Sequence, residues 1–336
     1  PYIIFVIGES YNKHHSAVYG YQLPTTPFQS AAHEDGTMIA MQDAVTPWNV
    51  TSMVFKQMLS TSPSDKKNKW TDGILFPAIM RKGGYTVSFL SNQFYKSNRQ
   101  TTADFNGSFF LNSQPFDSLC FDNRNSKHYL YDIGLTNSLP KDPLPQKQFI
   151  ILHLLGQHQP YADRIPKGKG QFKIEDIKRP DLNDDERQIV ADYDNATLMN
   201  DQVIEKTYNR FADKEAIIIY VADHGEEVYD GNIGMFGRNH SAKPSPQIMW
   251  AEFEVPFEIF FTPTLAKKRP QLVKAAMAAQ HKPCSIDDLS HTFINLAGIK
   301  CPYYNPQRDI LSPLFKERKR YIKDLSITYD DIIKQK

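Results

Sequence analysis

Ala216-Ile217-Ile218-Ile219-Tyr220-Val221-Ala222-Asp223-His224-Gly225-Glu226-Glu227 is an apolar, largely β-branched run that ends in an Asp-His pair. A run this short, bounded by charge on both sides, reads as a buried parallel strand. In an open α/β sheet, sites form outside the carboxyl ends of such strands, so this strand would deliver Asp223 and His224 into a crevice. Both side chains can turn toward one hard or borderline cation where the strand's alternation breaks down, and Gly225 lets the backbone turn closely. Asp-His-Gly by itself is weak evidence, since an Asp bonded to loop amides beside a half-exposed His has the same sequence.

The chain has 336 residues, 40% of them hydrophobic and 23% charged, with a formal net charge of +1. It is long enough for one large α/β domain or two smaller ones. So even a charge balance gives no warrant for nucleic-acid binding. No stretch approaches the roughly 20 apolar residues of a membrane span. The chain opens on Pro1-Tyr2-Ile3-Ile4-Phe5-Val6-Ile7, already a core strand, so a preceding N-terminal segment is expected. Cys120, Cys284 and Cys301 permit one disulfide, and Cys284 with Cys301 flank one helical pattern, but spacing leaves their pairing open.

Apolar runs alternate with helical patterns along the chain, the signature of a sheet covered on both faces. The first strand ends in Gly8-Glu9-Ser10. From Thr51 onward, Val54, Phe55, Met58 and Leu59 recur at helical spacing, so Thr51 starts a helix. A helix over Ile74–Arg81 closes on Gly83-Gly84, and a strand follows at Thr86–Leu90. The segment from Asn92 to Lys141 lacks periodicity and reads as loops with short pieces of structure. Gln148–Leu154 is another buried strand, leading into Gly156-Gln157-His158-Gln159-Pro160-Tyr161. Arg164–Pro180, with Lys167, Lys169 and Lys173, reads as a solvated loop, or near a membrane as one that meets anionic headgroups. Asn183 with Glu186 makes a capping box for an amphipathic helix of roughly 30 residues. Val255–Phe261 reads as a strand, and Leu265–Gln280 and Ser285–Ala297 as helices.

Glu9, Thr51, His158, Asp223 and His224 all fall at strand-to-loop or loop-to-helix junctions, which in a parallel sheet share one edge. Two carboxylates and an imidazole would hold a metal and leave a position for a hydroxyl, whose pKa coordination lowers. The amides at a helix start at Thr51 would face anionic oxygens. A threonine hydroxyl in that setting suits phosphoryl or sulfuryl transfer.

Gly8-Glu9-Ser10, Tyr19-Gly20-Tyr21 with Thr25-Thr26-Pro27, Thr51 ahead of its helix, His153 with Gly156–Tyr161, Tyr193-Asp194-Asn195-Ala196 and Asp223–Glu227 stand in an order that resembles bacterial phosphoethanolamine transferases, of the alkaline phosphatase and sulfatase superfamily. The resemblance spans Pro1 to about Leu314. It implies an alkaline phosphatase/sulfatase-like α/β three-layer sandwich, a central mostly parallel sheet covered by helices on both faces, with residues 1–336 as a single catalytic domain. It also implies a missing N-terminal transmembrane domain in the bacterial inner membrane, the catalytic domain facing the periplasm. By position it makes Glu9, Thr51, Asp223 and His224 ligands of a catalytic zinc, with Thr51 the nucleophile. His158 matches a histidine that holds the transferred group or a second zinc, and His153 and Asn195 match supporting residues. The family's further histidine corresponds to His240, here after a longer loop, with a solvated loop residue as the alternative. The donor implied is phosphatidylethanolamine, and the acceptor is lipid A, lipopolysaccharide core or another glycan. Glu226-Glu227-Val228-Tyr229-Asp230 resembles the branch that modifies core or other glycans more than the polymyxin-resistance branch.

Taken singly, these residues have plainer readings: Glu9 as a surface or cap carboxylate, Thr51 as an N-cap, His153 as a core histidine, Tyr193 and Asp194 as helix-face residues. The joint order of the motifs is what favours the functional reading. A sulfatase is disfavoured because the chain lacks the Cys/Ser-x-Pro-x-Arg signature. A phosphoglycerol transferase, often using manganese, remains an alternative; oxygen-rich ligation does not separate zinc from manganese or magnesium. From another class, the alternative is a metal-binding module without turnover.

Overall fold

The computed structural model describes residues 1–64, 68–95, 103–104, 107–230, 234–240, 243–323 and 327–334. Seven strands form the main sheet: β1 (Tyr2–Gly8), β2 (Met38–Ala40), β3 (Thr86–Ser91), β4 (Asn123–Arg124), β5 (Gln148–His153), β6 (Ala216–Ala222) and β7 (Phe257–Phe261). Their order is β2-β7-β6-β1-β5-β3-β4. Only β7 runs against its neighbours; β6, β1, β5, β3 and β4 are parallel. The central strands carry apolar side chains on both faces, and Ile3 to Ile7 and Ala216 to Ala222 are fully buried, as expected of strands covered twice.

Helices cover the sheet: α1 (Pro27–Glu34), α2 (Thr51–Leu59), α3 (Phe76–Lys82), α4 (Asp184–Phe211), α5 (Pro263–Lys268), α6 (Pro270–Ala279) and α7 (Leu289–Leu296). Strand alternation separates their layers. Phe5 packs on Phe293 of α7 with ring centroids 4.6 Å apart, and Phe293 stacks on Phe76 of α3 at 5.1 Å. Val6 is paired with Tyr220 and faces the other way, and the Tyr220 hydroxyl accepts from Asn200 Nδ2 of α4 at 3.0 Å. The sheet is therefore sandwiched between α3 with α7 and α4.

Most expected elements form, and the departures have local causes. The long helix runs for 28 residues behind Asn183, with the reciprocal Asn183–Glu186 capping box in place. The expected helix over Leu265–Gln280 is instead two, because Pro270 supplies no N–H and turns Arg269 out of the helical region, to φ −133° and ψ 57°. The helix expected from Ser285 begins as a 3-10 turn, Ile286–Asp288, before α7. The strand expected from Val255 starts at Phe257, just past Pro256. Within the loop-rich segment from Asn92 to Lys141, residues 96–102 and 105–106 lie outside the described residues, and the rest holds turns, short helices and two-residue strands, β4 among them. Cys120, Cys284 and Cys301 are all free thiols, so the pairing that spacing left open does not form. Among the described residues, no helix is long and apolar enough to cross a membrane.

Candidate active site

The strand order turns back on either side of β1, so the carboxyl ends of β1, β5 and β6 open into one crevice. Glu9 leaves β1, Asp223 and His224 leave β6, and Thr51 is the first residue of α2. Thr51 Oγ1 donates to Glu9 Oε2 at 2.8 Å and lies 3.2 Å from His224 Nε2. The same Nε2 is 3.0 Å from Glu9 Oε1 and 3.2 Å from Asp223 Oδ2. Glu9, Asp223 and His224 are 0% exposed and Thr51 is 8% exposed, so of the four only Thr51 has any contact with the surface.

The chemistry of this cluster is one of converging lone pairs. His224 Nδ1–H donates to Gly225 O at 2.9 Å, which fixes the tautomer and leaves Nε2 a bare acceptor. Asp223 Oδ1 accepts from His224 N at 2.7 Å, whereas its Oδ2, though buried, has no hydrogen-bond partner. Burial pushes the Asp223 carboxyl well above the usual carboxylate range, and the Glu9 carboxylate adds to the shift. Burial acts on Glu9 in the same sense, but the positive groups around it, Arg238 among them, hold it well below that range. Burial, with Arg238, lowers His224. Two carboxylates and one neutral imidazole aimed at a common point, with one buried oxygen unpartnered, fit a borderline divalent cation. Among the described residues, Glu9, Asp223 and His224 are the one such cluster.

Local backbone brings these side chains together. Ser10 adopts φ +56°, a left-handed conformation that strains a non-glycine residue. It is clamped by Tyr193, whose hydroxyl donates to Ser10 O at 2.6 Å and accepts from Asn12 N at 2.7 Å. A Cβ on Gly225 would lie 2.1 Å from Ala251 O, and one on Gly156 would lie 2.5 Å from Glu9 O, so close approach demands glycine at both. Asp132 accepts from Leu155 N at 3.0 Å and Gly156 N at 2.7 Å, which holds the turn toward His158. Thr46 Oγ1 donates to Asp223 O at 2.6 Å, tying the loop before Thr51 to the end of β6.

The other expected site residues fall around this centre. His158 is half-buried, and its Nδ1 donates to Gln159 O at 2.8 Å. His240 is half-buried near Arg238 and His224; burial and Arg238 lower its pKa to about 4. His153 is fully buried at the end of β5, packed on Phe55, Phe89 and Phe94, and burial lowers its pKa to about 4. Ser91 Oγ lies 2.9 Å from His153 Nδ1. Asn195, expected to support the site, holds the Lys-rich loop: its Oδ1 accepts from Gln171 N (2.7 Å) and Phe172 N (2.9 Å), and its Nδ2 donates to Phe172 O (2.8 Å). Asn195→Ala is therefore expected to lower stability by about 1–3 kcal/mol and leave turnover within about twofold; denaturant melts beside initial rates check this.

Two residues at the centre carried no role in the sequence reading. Tyr193 has only a helix-face reading from the sequence, and Arg238 has none. Arg238 Nη1 donates to His224 Nε2 at 2.6 Å and to Asn49 O at 2.9 Å, and its Nε lies 3.0 Å from Glu226 Oε2. Nearby, His15 is wedged between Asp194 (2.6 Å) and Asp230 (3.0 Å), joining the loop after β1 to α4 and to the segment after His224. Burial opposes its charge, but the two carboxylates win and raise it from 6.5 to about 10. A raised histidine stabilises fully below its unfolded pKa, and the contribution is lost as pH rises through the folded value. Stability should thus fall between about pH 6.5 and pH 10, and a His15→Asn variant should show a flatter profile in pH-dependent unfolding.

Together, the doubly covered, mostly parallel sheet and a hydroxyl beside a cation cluster at its carboxyl edge define an alkaline phosphatase/sulfatase-like protein. The chain belongs to the sulfatase family, whose sequence profile matches residues 1–299. It is 28% identical over 347 residues to phosphoethanolamine transferase EptC of Escherichia coli (strain K12), a match covering 98% of this chain and 57% of that protein. Phosphoethanolamine transferase CptA of Salmonella typhimurium (strain LT2) matches with the same identity and coverage. The chain thus spans a little over half the length of these relatives. Among solved structures, the C-terminal periplasmic domain of EptC from Escherichia coli, in complex with Zn, superimposes with a TM-score of 0.82 at 28% identity, over 98% of this chain and 93% of that one.

Proposed function

We propose that residues 1–336 form the catalytic domain of a zinc-dependent phosphoethanolamine transferase. It moves phosphoethanolamine from phosphatidylethanolamine to lipopolysaccharide, at lipid A or core, or to another glycan, through a covalent intermediate on Thr51. The observation that carries the reading is the Thr51 hydroxyl: first in its helix, 2.8 Å from a buried carboxylate and 3.2 Å from an unprotonated imidazole nitrogen. The likeness to EptC and CptA supports the transferred group, and the Zn complex of the EptC domain supports the metal. The periplasmic placement of that C-terminal EptC domain supports a place on the periplasmic side of the inner membrane, reached through an N-terminal membrane segment.

Glu9, Asp223, His224 and Thr51 would hold the zinc. When bound, zinc supplies Lewis acidity, which lowers the pKa of the threonine hydroxyl and offsets charge on phosphoryl oxygens. In the first half-reaction Thr51 Oγ1 attacks the phosphorus of the donor. The Oγ1–P bond forms as the bond to the diacylglycerol oxygen breaks, and the hydroxyl proton, held at Glu9 Oε2, ends on that departing oxygen. The amides opening α2 face the phosphoryl oxygens, and His158 and His240 flank the transferred group. In the second half an acceptor oxygen attacks the same phosphorus, and its proton returns to Thr51. Such a route requires ping-pong kinetics. Initial rates measured over a grid of phosphatidylethanolamine and lipopolysaccharide concentrations should give parallel double-reciprocal lines. Intersecting lines would exclude the covalent route, and transfer from phosphatidylglycerol instead would exclude the donor.

A further inference from the structure

We propose that Arg238 binds the transferred phosphoryl group, and that it rests on His224 until a cation takes that imidazole nitrogen. The inference builds on the transferase reading above. Arg238 is anchored at both edges, through Nε on Glu226 and through Nη1 on Asn49 O at 2.9 Å, and that same Nη1 touches the centre. Its Nε lies against Glu226 Oε2 at 3.0 Å, and Glu226 is itself fixed through Oε1, which accepts from Tyr161 Oη at 2.8 Å and from Gln159 Nε2 at 3.3 Å. Its Nη1 reaches the centre, 2.6 Å from His224 Nε2. Because His224 Nδ1–H is committed to Gly225 O, Nε2 has a single lone pair, and that pair cannot serve both an N–H donor and a cation.

Occupation of Nε2 by a cation therefore breaks the Arg238 contact and leaves a guanidinium edge a few ångströms from Thr51, whose Oγ1 is 3.2 Å from the same nitrogen. A planar fork with several N–H donors matches two oxygens of a phosphodiester far better than a point charge does. Glu226 keeps the guanidinium at the site after its release, so the charge is not lost to solvent.

Arg238→Gln and Arg238→Lys, each checked for a wild-type melting profile, test this in the full chain. Zinc affinity is read by competition with a chromophoric chelator, and phosphate affinity by inorganic phosphate inhibition of model phosphodiester hydrolysis. Arg238→Gln should bind zinc about tenfold more tightly, since its competitor is gone, and phosphate about 10- to 100-fold more weakly. Arg238→Lys retains the charge opposite Glu226, serves if the Gln variant does not fold, and should recover phosphate binding only in part. Unchanged zinc affinity or unchanged phosphate inhibition in a folded variant overturns the inference. A wild type that neither binds zinc nor cleaves phosphodiesters overturns the transferase reading and this inference with it.

Discussion

Thr51→Ala is expected to reduce transfer by about 10⁴-fold or more, the scale seen when a covalent nucleophile is removed. The loss follows from the geometry, since among the cluster's members only Thr51 offers a hydroxyl, 2.8 Å from Glu9 Oε2, and only Thr51 is not fully buried. The fold should survive. The substitution keeps Cβ and the helix start and leaves Glu9 Oε2 without its donor, a cost of about 1–2 kcal/mol. Thr51→Ser preserves the hydroxyl and should stay within about 100-fold of wild type. Turnover and thermal melting measured on the three proteins separate loss of chemistry from loss of structure.

Zinc should act on stability in a way that depends on Asp223. Without a cation, the Glu9 and Asp223 carboxylates meet at His224 Nε2 with Asp223 Oδ2 unpartnered, an unfavourable arrangement that folding elsewhere must offset. Zinc at about one hundred times its dissociation constant adds about 2.7 kcal/mol, a melting shift of several degrees. Asp223→Asn removes the buried carboxyl that burial and Glu9 disfavour as an anion, so the metal-free variant should melt above the metal-free wild type by about 1 kcal/mol in stability. It should gain almost nothing from zinc and should lose transfer. Equal zinc shifts in both proteins, by differential scanning calorimetry, would place the cation elsewhere.

The sheet was legible because its central strands are buried on both faces. Ala216–Ala222 and Tyr2–Gly8 can only be continuous apolar runs, and a continuous run ending in charge marks both the strand and its open edge. The start of α2 was legible from spacing, and the start of α4 from its capping box. The helix break at Arg269 was missed because apolar periodicity runs through it and only Pro270 marks the stop. The members of the candidate site could be nominated because each stands at a junction. Their supports could not, because support is tertiary: Tyr193 clamps Ser10 from 183 positions away, and Arg238 reaches His224 and Asn49 from a loop without periodicity. Asn195 shows how one motif can serve two faces of a helix. It sits in the same motif as Tyr193, but two residues along a helix turn a side chain through about 200°, so it faces the Lys-rich loop rather than the strand end.

The central claim is that Thr51 carries the transferred group, and peptide mass spectrometry after incubation with zinc and phosphatidylethanolamine, beside phosphatidylglycerol, tests it most directly. A phosphoethanolamine adduct on the peptide that contains Thr51, formed only from phosphatidylethanolamine and absent in Thr51→Ala, is the predicted result. Turnover without any adduct on Thr51, or an adduct on another side chain, would contradict it.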